Sequence, residues 1–224
     1  MGALMIGPWV KVCGFTRPED VTAAVEVGVD LLGLNFAPES PRRIDLEQGA
    51  ELTRAVRMAA RGRSGKSPIR TVAVMVNPTE EEVRAIIKAI DPDILQFHGE
   101  ETSEFCRQFE HPFMKAFRLA TPEDARPIPD YLEPPSMGFL IDAWVKGAHG
   151  GTGQTLSHET ARVALQHRRG FLAGGLTPLN AYEIIRALHP FGVDVASGVE
   201  IEPGIKDRLL MQRFVTAAGA ACQD

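Results

Sequence analysis

From residue 10 onward, short apolar runs alternate with longer stretches whose apolar residues recur every three or four positions. The short runs predict strands buried on both faces, and the longer ones predict helices with a single apolar stripe. Strands are expected over 10–15, 31–36, 71–76, 94–98, 113–119, 139–144, 171–175 and 193–196. Helices are expected over 18–27, 46–60, 79–90, 102–109, 157–167, 179–188 and 205–218. Pro18 suits a first helical turn, and Glu19 and Asp20 suit the positive end of the helix dipole. Thr79 followed three residues later by Glu82 makes a capping box. The segment 61–68 is basic and contains Gly and Ser, which predicts a solvated connection. The segment 121–136 is rich in proline, so a regular helix there is not expected.

Strands separated by helix-length segments predict a parallel sheet with right-handed crossovers. The last two strands end in small residues, at Gly174, Gly175, Ser197 and Gly198. Such turns let a backbone come close to a ligand, and helix starts behind them offer free N–H groups. Paired turns of this kind after strands seven and eight form the common phosphate site of a closed barrel. The expected architecture is therefore α/β, a (β/α)8 TIM barrel in one domain over 1–224, with its fifth helix degenerate. A doubly wound open sheet is the alternative.

Composition adds constraints. The net charge of −5 argues against a general nucleic-acid-binding surface, while a local pocket can still be positive. Cys13, Cys106 and Cys222 are odd in number and widely spaced, which suits neither a disulfide framework nor a metal cluster. The first eight residues lack a basic segment followed by an apolar core, so no signal peptide is expected. No apolar run approaches the length of a membrane span. A cytoplasmic location and no membrane partner are expected.

Polar residues interrupt the apolar strands near their C-terminal ends. Lys11 and Cys13 share one side of the first strand, and Gln96 and His98 share one side of the fourth. Asp142 ends the sixth strand, and Asp194 lies within the eighth. Taken singly, each has a bland reading. A strand cysteine is usually a small buried hydrophobe, Asp142 could cap a turn, His98 could be a satisfied core histidine, and Lys11–Asp194 could be a buried pair. Together they fall at the end of the barrel where active sites form.

The order of motifs resembles the phosphoribosylanthranilate isomerase family of tryptophan biosynthesis. The pieces are Lys11-Val-Cys-Gly-Phe-Thr16, Gly33-Leu-Asn-Phe36 with Ser40-Pro-Arg42, and Leu95-Gln-Phe-His-Gly99. They continue with Leu140-Ile-Asp142, Gly150-Gly-Thr-Gly153, Leu172-Ala-Gly-Gly-Leu176, Val193-Asp-Val-Ala-Ser-Gly-Val-Glu200 and Pro203-Gly204 with Lys206-Asp207. The match spans nearly the whole chain. It departs at Gln154-Thr-Leu-Ser-His158, where the family usually has an aromatic residue and an aspartate, and at Asn35 in strand two.

The resemblance implies an Amadori rearrangement of N-(5-phosphoribosyl)anthranilate to 1-(2-carboxyphenylamino)-1-deoxyribulose 5-phosphate. It implies Asp142 as general acid and Cys13 as general base, with no metal and no organic cofactor. Asp142 must be protonated part of the time, so burial and an anionic substrate are expected to raise its pKa. Cys13 must become thiolate, for which Lys11 is the candidate positive neighbour. The phosphate is expected on backbone N–H groups of Gly174, Gly175, Ser197 and Gly198, with Gly151 and Gly153 contributing. Arg42 is expected to take the anthranilate carboxylate through its planar fork. Arg43 reads as surface. His98 is expected to line the anthranilate side, and Asp194 to orient Lys11 or substrate hydroxyls. The expected partner is a small phosphosugar, and the expected state a monomer or homodimer. The rivals are another phosphosugar isomerase or epimerase barrel, and a non-catalytic phosphosugar-binding barrel.

Overall fold

The computed structural model describes residues 7–61, 69–142 and 157–222. Within them the chain runs β1 (Trp9–Cys13), α1 (Pro18–Val27), β2 (Leu31–Asn35), α2 (Leu46–Ala60), β3 (Arg70–Met75), α3 (Glu80–Ile90), β4 (Ile94–Phe97), α4 (Ser103–Arg107) and β5 (Phe113–Phe117). It continues through β6 (Ser136–Asp142), α5 (His158–Leu165), β7 (Gly170–Ala173), α6 (Ala181–Leu188), β8 (Gly192–Val195), β9 (Glu200–Glu202), β10 (Ile205–Lys206) and α7 (Arg208–Ala220). Strands β1 to β8 pair in sequence order, all parallel, and β8 pairs with β1 to close a barrel. The expected (β/α)8 architecture is therefore present.

Side chains alternate along the strands, so each strand serves two cores. Leu31, Val72, Val74, Ile94, Met114, Ala116, Leu140, Phe171 and Ala173 pack inside the barrel. The intervening residues, such as Leu32, Ala73, Leu95 and Ile141, pack outward against the helices. Burial on both faces explains the near-continuous apolar runs. The capping box of Thr79 and Glu82 opens α3 as expected, and Asp45 with Gln48 makes a second one at α2. Ser157 accepts the N–H of Thr160 and caps α5.

Two segments need comment. Between β5 and β6 the proline-rich segment forms two 3-10 turns, Pro122–Ala125 and Ile128–Tyr131, instead of a fifth α-helix. This is the expected degeneracy, since proline removes helix donors. The last helix, in contrast, does not begin at residue 205. Ile205 and Lys206 pair antiparallel with Glu202 and Glu200 in a small hairpin, and α7 starts at Arg208 behind its cap Asp207. Local pattern could not anticipate this, because the backbone of Lys206 is held from far away by Asp20, whose Oδ2 accepts the Lys206 N–H at 3.0 Å.

Candidate active site

The C-terminal ends of the strands open into a cavity of about 290 Å³. It is lined by Cys13 from β1, Asn35 and Arg42 from β2 and its loop, Gln96 and His98 from β4, Asp142 from β6, and Asp194 from β8. Gly174, Gly175 and Ser197 line it from the last two loops. The fold thus gathers onto one cavity most of the residues singled out from sequence. Gly151 and Gly153, expected beside the phosphate, lie outside the described residues.

The floor of the site is a buried ion pair. Lys11 Nζ donates to Asp194 Oδ2 at 2.9 Å, and Lys11 is fully buried. The two residues face each other in the β1–β8 register. Burial opposes the charge on Lys11, but Asp194 outweighs it and the ammonium's pKa is raised. Burial likewise pushes the Asp194 carboxyl up, against the pull of Lys11. Asp194 Oδ1 is buried without a hydrogen-bond partner among the described residues. Asp194 itself lines the cavity.

Cys13 sits above this pair. Its thiol occupies space left by Gly33 on the neighbouring strand, where a Cβ would come within 2.6 Å of Sγ. Burial pushes the Cys13 thiol up, and the nearby Lys11 and Lys206 charges only partly oppose it. Lys11 is therefore the positive neighbour expected from sequence, but burial outweighs it and the thiol stays favoured at Cys13. Cys106 is buried in the outer core and pushed up to about 12, a structural cysteine. Asp142 also differs from expectation. Its Oδ2 lies 3.5 Å from Nε2 of His98. This imidazole contact lowers its pKa, outweighing the opposing effect of burial. Sequence reasoning weighed burial and missed the imidazole. Gln96 Nε2 stands 3.1 Å from the other ring nitrogen of His98 and steadies the ring.

The rim offers an anion cradle. Gly174 and Gly175 adopt φ of 88° and 66°, and turn the chain sharply after β7. Gly198 packs against the same loop, where a Cβ would stand 2.0 Å from the carbonyl oxygen of Leu176. Among the described residues, the backbone amides of Gly174, Gly175, Ser197 and Gly198 donate no hydrogen bond outside regular elements. Free, clustered N–H groups favour an anion.

Arg42 is not free. Its Nε and Nη2 donate to both oxygens of Glu200. Glu200 also accepts from the ammonium of buried Lys206. Burial opposes ionisation of Glu200, but these cationic partners hold its carboxyl below the usual range, while burial pushes the Lys206 ammonium down. In the sequence Glu200 and Lys206 stand out only as members of motifs. Their signal was two charged residues beside a strand-end glycine turn. Asn35, without a role from sequence, accepts the N–H of Ala37 and so shapes the loop that carries Arg42. Among the described residues, no group of three His, Cys, Asp or Glu side chains is arranged to hold a metal ion, and no helix is long and apolar enough to cross a membrane.

A parallel barrel with polar groups and an anion cradle at its C-terminal mouth defines a phosphate-ligand barrel of the enzyme type. Comparison with known proteins narrows it. A family model described as N-(5'phosphoribosyl)anthranilate (PRA) isomerase matches residues 10–217, and the chain belongs to that family. It is 42% identical over 207 residues to the N-(5'-phosphoribosyl)anthranilate isomerase of Stenotrophomonas maltophilia (strain R551-3), covering 92% of this chain and 90% of the relative. It is 39% identical to that of Halorhodospira halophila, covering 92% and 94%. The solved phosphoribosyl anthranilate isomerase of Thermotoga maritima superposes with a TM-score of 0.80 at 30% identity, covering 95% of this chain and 99% of that one. A solved isomerase in complex with reduced 1-(o-carboxyphenylamino)-1-deoxyribulose 5-phosphate superposes with a TM-score of 0.78 at 29% identity, with the same coverage.

Proposed function

We propose that this chain catalyses the Amadori rearrangement of N-(5'-phosphoribosyl)anthranilate in tryptophan biosynthesis, in the cytoplasm, as a monomer or homodimer. The observation that carries the reading is the convergence of Cys13 and Asp142 on one cavity rimmed by Gly174, Gly175 and Ser197. Asp142 gives a proton to the ring oxygen as the furanose opens, and the nitrogen lone pair forms the C1=N bond. Cys13 takes the C2 proton, which yields the enol-amine that tautomerises to the ketose. The phosphate is held by the amides of Gly174, Gly175, Ser197 and Gly198, the anthranilate carboxylate by Arg42. Asp194 orients Lys11 or the sugar hydroxyls, and His98 lines the anthranilate side.

The protein's own groups favour the thiol at Cys13 and the carboxylate at Asp142, the reverse of what this chemistry uses. Substrate supplies the correction. Its anionic ends favour protonation of Asp142, and the iminium formed on ring opening places a cation beside Cys13, which favours the thiolate.

The test is loss of anthranilate-type fluorescence when the purified protein meets freshly generated phosphoribosylanthranilate, with and without a chelator. Chelator-resistant turnover is expected, and Cys13→Ser and Asp142→Asn should each lower kcat by at least about a hundredfold with the fold intact. Near-normal kcat in either variant removes that residue from the mechanism. Binding without turnover by the unaltered chain would favour a non-catalytic phosphosugar binder.

A further inference from the structure

Arg42 reaches the cavity mouth with its side chain 19% exposed, yet its guanidinium is gripped from within. Nε and Nη2 donate to Glu200 Oε1 and Oε2 at 2.8 and 2.6 Å, a bidentate pair between residues 158 positions apart. Glu200 is itself 4% exposed. Its Oε1 also accepts from Lys206 Nζ at 2.6 Å and from the Gly204 N–H at 3.2 Å. Lys206 Nζ reaches on to donate to the backbone carbonyl of Cys13. Thr16 Oγ1 donates to the Gly204 carbonyl at 2.7 Å and ties the same hairpin to the loop after β1. One continuous chain of contacts therefore runs from Arg42 through Glu200 and Lys206 to the backbone of Cys13.

A guanidinium has two edges that can bind a carboxylate side-on. Glu200 takes the Nε/Nη2 edge and leaves the Nη1/Nη2 edge. An unheld arginine would have to lose its rotamer freedom on binding substrate; here that ordering is completed beforehand. Neutralising Arg42 would by itself weaken an anion site. Lys206 counters this, because one carboxylate between two cations leaves the cluster with net positive charge.

We propose that Glu200 is a positioning residue of the reaction: it fixes Arg42 so that the remaining guanidinium edge meets the substrate carboxylate, and through Lys206 it joins that contact to the backbone of Cys13. The proposal rests on Arg42 receiving the carboxylate of the anthranilate ring. Glu200 touches neither substrate nor the reacting atoms.

The test is a double-mutant cycle with steady-state kinetics. Glu200→Gln is expected to raise KM about tenfold while kcat stays within about threefold. Arg42→Ala is expected to raise KM at least as much, and Glu200→Gln added to Arg42→Ala should raise it no further, because Glu200 acts through Arg42. Penalties that multiply would overturn the proposal. If Glu200→Gln fails to fold with Lys206 left uncompensated, Glu200→Gln combined with Lys206→Met removes both charges and should fold with KM still raised; an unaltered KM there overturns the proposal. A readout independent of activity is the Arg42 Nε–H resonance, assigned by its loss in Arg42→Lys. It should be protected from exchange in the unaltered chain and unprotected in Glu200→Gln. Persistence in Glu200→Gln overturns the positioning role whatever the substrate, whereas absence of turnover in the unaltered chain overturns only the functional reading.

Discussion

Cys13 and Asp142 share one cavity but sit in opposite electrostatic surroundings. Burial dominates at the thiol and disfavours its charge. The contact with His98 dominates at the carboxyl and favours its charge. If the working form pairs a protonated Asp142 with a Cys13 thiolate, kcat/KM should be flat between the two pKa values. It should fall below that of Asp142, where only the thiolate is still being lost, and above that of Cys13, where only the acid is. The His98→Ala variant removes the imidazole contact that holds the Asp142 pKa down, so the acid limb should move to higher pH. A pH profile of kcat/KM for the two proteins checks this; an unmoved acid limb would mean that His98 does not set the acid.

At the scale of elements, the site depends on how the loops after β7 and β8 meet. Gly198 lies against the Leu176 carbonyl, and the neighbour is backbone that cannot swing aside. Gly198→Ala should therefore push apart the two loops proposed to hold phosphate. The expected outcome is a rise in KM of about tenfold or more, larger than the loss in kcat. Titration with inorganic phosphate gives a simpler check, since the variant should bind it more weakly. Equal phosphate affinity in both proteins would show that the two loops do not act together. The β9–β10 hairpin plays a matching role on the other side of the mouth, where it carries Glu200 and Lys206 to the loop of Arg42 and the end of β1.

At the scale of the whole molecule, Lys11 and Asp194 sit across the seam where β8 closes on β1. A buried pair adds little net stability, but breaking one is costly because it leaves a buried charge uncompensated. Lys11→Met should cost about 3–5 kcal/mol at neutral pH, a fall in Tm of about 10 °C for a chain of this size. The sign of its pH dependence follows from Asp194, whose folded pKa is raised. A carboxyl raised by folding favours the native state while protonated, and loss of Lys11 raises Asp194 further, so the deficit should grow as pH rises through the folded pKa of Asp194 in the unaltered chain and level off once Asp194 has ionised in the variant as well. Thermal melts across pH check this, and a deficit independent of pH would place the cost in packing instead.

The chain's own order of residues determines most of the scaffold. Short continuous apolar runs, apolar stripes with a helical period, and caps such as Thr79 with Glu82 depend on near neighbours, and they place the strands, most of the helices and the strand-end residues. Those same motifs carried the family, because Cys13, Arg42, His98, Asp142 and Asp194 stand at positions a linear pattern preserves. Tertiary structure alone decided the rest. The pKa of Asp142 is lowered by His98 at the end of another strand. Arg42 is engaged by a carboxylate 158 residues away, and the start of α7 is deferred by a backbone bond to Asp20 across 186 residues. The physical reason is common to all three. Charge, desolvation and hydrogen bonding depend on distance in space, and once the barrel closes, that distance is set by strand order and register and no longer by position along the chain.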